Sequence, residues 1–259
     1  MAMLEVDKVV KRFGGLVALN ELTFEVAVDS IHGLIGPNGS GKTTCFNVIT
    51  GSYRAESGSV RLCGEELNKL RIHKINPKGV ARTFQHISLF NDMTVLENVM
   101  VGLHCRSMTG LLGSILKTSP VRNEERHIRS KAKEKLGFVL GKRGHVDINS
   151  PVQNLSYGDQ RLVEIARALA SEPRIILLDE PAAGMNATEK ETLKRIIRTM
   201  RDDGITILFV EHDMKLAMSI ADRITVLDHG TKIAEGEPTE IQSHPAVMEA
   251  YLGKRRRDA

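Results

Sequence analysis

Three short apolar runs punctuate the chain: Ile31 to Ile35 (IHGLI), IILLD within 174–181 and ITILFV within 205–213. Each is continuous rather than alternating, which marks strands buried on both faces of a parallel sheet. Residues 19–28, LNELTFEVAV, behave differently. Leu22, Phe24, Val26 and Val28 fall on alternate positions, the pattern of a strand with one wet face. With MLEVDKVVKRF before it and GSVRLCGEEL (58–67) after it, this predicts an antiparallel part in the N-terminal third. Between the second and third runs, Leu193, Ile196, Ile197 and Met200 recur at i, i+3, i+4, i+7. That spacing predicts a helix, with Thr188 and Glu191 as its capping box. Strand, helix, strand with buried strands means a parallel α/β core. Near the end, RITVLD, a His229-Gly230 turn and TKIAEGEP predict a hairpin, and HPAVMEAYL a short helix.

The middle has no buried-strand run. NEERHIRSKAKEKLGFVL puts Ile128, Ala132 and Leu136 on one helical face. The expected organisation is a single domain over 1–259. Residues 1–92 and 166–259 form the α/β core with its antiparallel part, and 93–165 form an inserted, mainly helical lobe. RSMTGLLGSILKTSPVR (106–122) reads as a loop with a short helix, or as an amphipathic patch.

A hydrophobic content of 41% in 259 residues supports a proper core. Aromatics at 4% with no Trp give no stacking platform for single strands, so no nucleic acid is expected. The net charge of +4, from 36 basic and 32 acidic residues, points to no particular partner. Cys45, Cys63 and Cys105 lack metal-ligand spacing and read as small buried or partly buried thiols in a reducing compartment. The N-terminal MAMLEVDKVVKRF carries charges where a signal peptide needs apolar residues. No run approaches the roughly 18 apolar residues of a membrane span. The chain is therefore expected to be soluble and cytoplasmic, reaching a membrane only through a partner. The basic tail, Lys254 to Arg257, reads as solvated chain, with an anionic membrane face as the alternative.

Gly36 to Thr44, GPNGSGKTT, joins the first buried run to the apolar start of a helix. Gly36, Gly39 and Gly41 allow the loop to curl with its N–H groups inward. That nest and the helix N-terminus form an anion site. The helix end contributes about 0.3–1 kcal/mol. The Lys42 charge adds about 4 kcal/mol at 4 Å and an effective dielectric near 20, before desolvation. The Thr43 hydroxyl is the hard oxygen that Mg²⁺ prefers. The pattern G-x-x-x-x-G-K-[ST] between strand and helix is a phosphate-binding loop for a triphosphate.

IILLDEP ends a buried run with Asp179 and Glu180 adjacent, and Pro181 turns the chain. Asp179 can reach a Mg²⁺ shell, and Glu180 can accept a proton from water attacking the γ-phosphate. On the next strand, His212 leaves an apolar run at the same sheet edge, in reach of that phosphate.

These residues resemble those of ABC-transporter ATPases, in that family's order and over nearly the whole chain. The loop at 36–44, TFQ with Gln85, LSYGDQ from Leu155, LLDEP to Glu180, AAGMN (182–186) and EHD with His212 all find counterparts. The resemblance implies a P-loop NTPase core of the ABC ATPase type, with ATP and Mg²⁺ as cofactors. Gly36, Pro37, Asn38, Gly39, Ser40, Gly41, Lys42, Thr43 and Thr44 would bind the nucleotide. Phe13 would stack on adenine, in a place where Tyr is commoner. Glu180, His212, Gln85 and Lys42 would serve catalysis, and Thr43, Gln85 and Asp179 the metal. Ser156 and Gly158 would contact ATP held by the opposite subunit of a dimer. The departures are Ser-Tyr-Gly-Asp for Ser-Gly-Gly-Gln, Asn186 where Asp is usual, and VDS for Pro-Gly-Glu before the loop. None removes a phosphate ligand, but Asn186 leaves its contact across the dimer less defined.

GVARTFQHISLFNDMTVLENVMVG and the segment from Glu211 to Gly253 resemble, more narrowly, the ATPase subunit of branched-chain amino-acid importers. That implies a second ATPase subunit, identical or related, two permease subunits, and an extracytoplasmic binding protein as indirect partner. The location implied is the cytoplasmic face of the membrane. Importers for urea or short amides share much of the pattern. A soluble, non-transport ABC ATPase is the rival class; the long coiled coils or second cassette of such proteins have no counterpart here.

Overall fold

The computed structural model describes residues 1–103, 119–141 and 146–252. Cys105, most of 106–122 and the basic tail lie outside the described residues. The elements run β1 (Ala2–Phe13), β2 (Leu16–Ala27), β3 (Ile31–Ile35), α1 (Lys42–Ile49), β4 (Ser57–Leu62), β5 (Glu65–Glu66), α2 (Ile72–Ile75), β6 (Val80–Arg82) and α3 (Val95–Leu103). They continue with α4 (Ser119–Leu140), α5 (Tyr157–Ala170), β7 (Ile175–Asp179), α6 (Ala187–Asp202), β8 (Thr206–Val210) and α7 (Met214–Ile220). The chain closes with β9 (Arg223–Asp228), β10 (Thr231–Gly236), α8 (Pro238–Ser243) and α9 (Pro245–Leu252).

The three continuous apolar runs became β3, β7 and β8, every residue of which is buried. They pair in parallel inside a six-stranded sheet of order β10-β9-β3-β8-β7-β6. Successive side chains serve opposite faces, as the pleat requires. Ile31, Ile35, Ile176, Leu178, Ile207 and Phe209 face a core shared with the helices. Leu34, Ile175, Leu177, Leu208 and Val210 face a second core, closed by α1 and by the four-stranded antiparallel sheet β2-β1-β4-β5. In β2, Leu22, Phe24 and Val26 are buried as their alternation predicts, while Val28 lies past the strand end and is exposed.

On α6, Leu193, Ile196, Ile197 and Met200 are buried, each stabilising by about 1.5–3 kcal/mol relative to exposure. Its cap is Asn186 with Glu189, two residues before the predicted pair. Asn186 accepts the Glu189 N–H and Glu189 returns to the Asn186 N–H, so the helix begins earlier than the apolar spacing alone shows. The helices α3, α4 and α5 pack together through Val99, Leu103, Ala132, Leu136, Ile165 and Leu169. A Thr94–Glu97 capping box starts α3. Cys45 is buried, but Cys63, in a turn at positive φ, is exposed, which corrects the expectation for that thiol. No described helix is long and apolar enough to cross a membrane.

Candidate active site

The carboxyl ends of β3, β6, β7 and β8 meet at one edge of the parallel sheet, where open α/β folds place their ligands. The glycine-rich loop leaves β3. At Gly36 the backbone stands at φ 153°, and a Cβ there would lie 2.1 Å from the Leu227 carbonyl oxygen, so only glycine fits. Gly41, at φ 105°, caps α1 with no side-chain hydrogen bond and no acidic residue in the first turn. The N–H groups at this helix end remain available to an anion.

Lys42 is folded into this cradle. Its Nζ donates to the Gly36 and Pro37 carbonyls, both at 2.8 Å, and lies 3.4 Å from Ser40 Oγ. Burial lowers its pKa, and the carboxylates of Glu180 and Asp179 oppose that shift. Thr43 is exposed, its hydroxyl outside the core, and Thr44 is half-buried.

Asp179 closes β7 and is 3% exposed. One residue later Glu180 adopts φ 45°, a left-handed conformation costing about 1–3 kcal/mol for a non-glycine residue. Its N–H donates to the Val210 carbonyl at 2.9 Å, which ties the bend to β8. The twist breaks strand alternation, freeing Glu180 from the position opposite to Asp179. Two other predicted residues then come to the same carboxylate oxygen. Gln85 Nε2 donates to Glu180 Oε2 at 3.1 Å, and His212 Nδ1 lies 3.5 Å from it. Gln85 and His212 are themselves exposed.

Four groups escaped the sequence reading. Arg82 ends β6 and pairs with Asp179 Oδ2 at 2.7 Å, their side chains 8% and 5% exposed. It also donates to Asn47 Oδ1 on α1 at 2.6 Å and lies between the Phe46 and Phe84 rings. Its signal was a lone basic residue inside the apolar-flanked GVARTF. Arg161 and Glu164 form a pair on α5 at 2.8 Å that is buried completely. Their spacing of three on an otherwise apolar face was the available clue. Glu211 is buried beside His212 and accepts the Ala182 N–H at 2.9 Å. Burial raises its pKa, partly offset by that hydrogen bond.

Ser156 and Gly158 stand apart from this convergence. Ser156 caps α5, accepting the Asp159 N–H at 3.2 Å and donating to Asp159 Oδ2 at 2.9 Å. The helix therefore starts at Tyr157, directly after this cap. Gly158 abuts the Glu189 side chain at the start of α6. Phe13, exposed at the end of β1, meets the Tyr53 ring edge-on at 5.2 Å and lies under Lys11 Nζ.

Comparison with known proteins gives a consistent set of likenesses. A family model described as ABC transporter matches residues 19–183. A second, described as branched-chain amino acid ATP-binding cassette transporter, matches residues 231–256. The high-affinity branched-chain amino acid transport ATP-binding protein BraF of Pseudomonas aeruginosa is 44% identical over 254 residues, covering 97% of this chain and 98% of its own. The crystal structure of the ADP conformation of MJ1267, an ATP-binding cassette of an ABC transporter, superposes with a TM-score of 0.84 at 33% identity. It covers 98% of this chain and 100% of its own. A dimeric post-hydrolysis structure of the cassette MJ0796, bound to ADP and phosphate, gives 0.76 at 26% identity, covering 91% of this chain and 99% of its own.

Proposed function

The chain belongs to the ABC transporter family of ATP-binding cassettes, and from that premise we propose that it powers an importer for branched-chain amino acids. The reaction is ATP hydrolysis coupled to transport. The observation that carries the chemistry is the meeting of Gln85 and His212 at one oxygen of Glu180, beside the loop that follows β3. The observation that carries the substrate is the likeness at 231–256 and to BraF over nearly the full length.

In this reading the loop from Gly36 to Thr44 holds the triphosphate, and Phe13 stacks on the base. Lys42 exchanges its two carbonyl partners for phosphate oxygens. Glu180 takes the proton of the attacking water, and Gln85 and His212 fix the carboxylate and the γ-phosphate relative to one another. Removing a general base lowers rates by about 10²–10⁴.

The residues also suit Mg²⁺. Thr43, Gln85 and Asp179 are oxygen donors, and Arg82 engages only one Asp179 oxygen. Among the described residues no cluster of three His, Cys, Asp or Glu could cage a metal. An ion held by one or two protein oxygens plus substrate phosphates needs no such cluster. When bound there it would neutralise phosphate charge and help orient the β- and γ-phosphates.

Ser156 and Gly158 serve the ATP of a second cassette, identical or related, across a dimer. The lobe at 93–165 presents them, and the stretch around residues 86–110 contacts the permease subunits. The assembly sits on the cytoplasmic face of the membrane and receives solute from an extracytoplasmic binding protein.

The test is purification of the tagged chain from detergent-solubilised membranes, with mass spectrometry of what accompanies it, followed by uptake assays. Two multi-spanning proteins and a second cassette are expected, with ATP-dependent uptake of leucine, isoleucine and valine. Urea uptake instead would replace the substrate. Recovery of soluble partners alone would overturn the transport role.

A further inference from the structure

Among the described residues, the largest completely buried side chain is a charged one, Arg161. Such a group is tolerated in a core when its charge is paired and most of its donors are met. Here both Nη groups are paired, while the buried Nε has no partner. Its partners are specific. Nη1 donates to the Phe84 carbonyl at 2.6 Å and to Glu164 Oε2 at 2.8 Å. Nη2 donates to the Gln85 carbonyl at 2.7 Å and to Tyr157 Oη at 3.2 Å. Glu164 answers with its other oxygen, which accepts the N–H groups of Phe84 at 3.4 Å and Ser88 at 3.3 Å. One buried pair thus grips the loop after β6 by its backbone, carbonyls through the guanidinium and N–H groups through the carboxylate. The side chains of Phe84 and Gln85 stay exposed. The grip fixes where the loop lies without occupying the atoms that could meet a substrate.

The other end of the grip matters as much. Arg161 and Glu164 sit one to two turns into α5, whose first turn carries Ser156, Tyr157 and Gly158. Tyr157 packs against Gly184 in the segment after Glu180, where a Cβ would come within 2.9 Å of its ring. The same helix therefore holds Gln85, which bonds Glu180, and presents the segment assigned to the opposite ATP.

We propose that Arg161 and Glu164 are positioning residues that lock the Gln85 loop to α5, so that the Ser156–Gly158 segment and Gln85 move as one body. This rests on the reading of Glu180 as the hydrolytic base. A shift of α5 relative to β7 then changes the 3.1 Å Gln85–Glu180 contact in the subunit's own site. Occupancy of the opposite site reaches local chemistry through a single rigid link. A purely structural ion pair would stabilise the fold without this link.

The experiment uses the full chain in its assembled complex and compares wild type with Arg161→Lys. Lysine keeps the charge and the pairing with Glu164 but cannot span two carbonyls. Amide hydrogen exchange is followed at Phe84 and Ser88, at α5 and at the loop 38–44, with and without ATP, alongside kcat and KM. The expected result is exchange at Phe84 and Ser88 faster by about tenfold, with α5 unchanged. With it, kcat falls by about 10²-fold while KM stays within about twofold, as for a misplaced catalytic group. Near-normal kcat despite faster exchange, or unchanged exchange, overturns the proposal. If Arg161→Lys does not fold, Tyr157→Phe, which removes one partner of the guanidinium, should move both readouts the same way by less. Unchanged readouts in that variant overturn it too. Failure of the ATPase reading is separately visible: the wild type would then show no nucleotide protection at 38–44, while the exchange comparison without nucleotide still tests the lock.

Discussion

Replacing Arg82 with methionine isolates the buried pair at the end of β7. Methionine fills much of the space between the Phe46 and Phe84 rings but leaves Asp179 charged and only 5% exposed, without its guanidinium at 2.7 Å. Removing one member of a buried pair costs about 3–5 kcal/mol, because the remaining charge is uncompensated. Lys42 also bears on Asp179, so the low end, about 3 kcal/mol, applies here. In a domain of this size that lowers Tm by about 6–12 °C. The assay is thermal denaturation followed by circular dichroism, with and without magnesium and ATP. A divalent cation replaces part of the lost positive charge, so the Tm gain on adding it should be larger in Arg82→Met than in wild type. Arg82→Met combined with Asp179→Asn leaves no unpaired charge and should recover more than half the loss. A Tm drop below about 2 °C, or no recovery in the double variant, would refute the idea that Arg82 neutralises Asp179.

Other outcomes can be checked alongside. Glu180→Gln should keep ATP binding, measured by calorimetry, while hydrolysis drops about 10²–10⁴-fold; near-normal turnover would remove Glu180 from the base role. Gly36→Ala should lose nucleotide binding and destabilise the domain, since its Cβ would fall 2.1 Å from the Leu227 carbonyl oxygen; wild-type affinity would show that the loop shifts freely. His32 is buried against Thr225, and burial lowers its pKa from 6.5 to about 4, so the unfolded chain takes up its proton first. Its contribution is complete above pH 6.5 and declines as pH falls towards 4, by up to about 1.4 kcal/mol per pH unit. Urea unfolding of His32→Gln should lack that part of the pH dependence.

Legibility followed the range of the interaction. The runs at 31–35, 174–181 and 205–213 were readable because full burial writes itself into consecutive residues. The loop at 36–44 was readable because its conformation demands glycine at fixed offsets. The cap of α6 was misplaced because two candidate boxes lie two residues apart, and only the chain direction after Met185 chooses between them. Arg82 and Arg161 were missed for a deeper reason. Arg82 is a charge made tolerable by a partner 97 residues away. Arg161, although paired locally with Glu164, also needs the Phe84 and Gln85 carbonyls far off in sequence, which no local pattern encodes. Cys63 misled because its turn, at positive φ, turns a strand-flanking thiol outward.

Gly158 lies directly against the cap of the neighbouring helix α6. A methyl group there would approach Glu189 Oε1 to 2.4 Å, and Glu189 is half of the cap of α6. An inactive Gly158→Ala protein therefore has two explanations, a lost phosphate contact or a displaced cap. Genetics can separate them. If the cap is at fault, shortening position 189 to alanine makes room for the methyl group, and a selection for restored transport should return changes at 189. If phosphate contact is at fault, no change at 189 rescues, and revertants restore glycine alone.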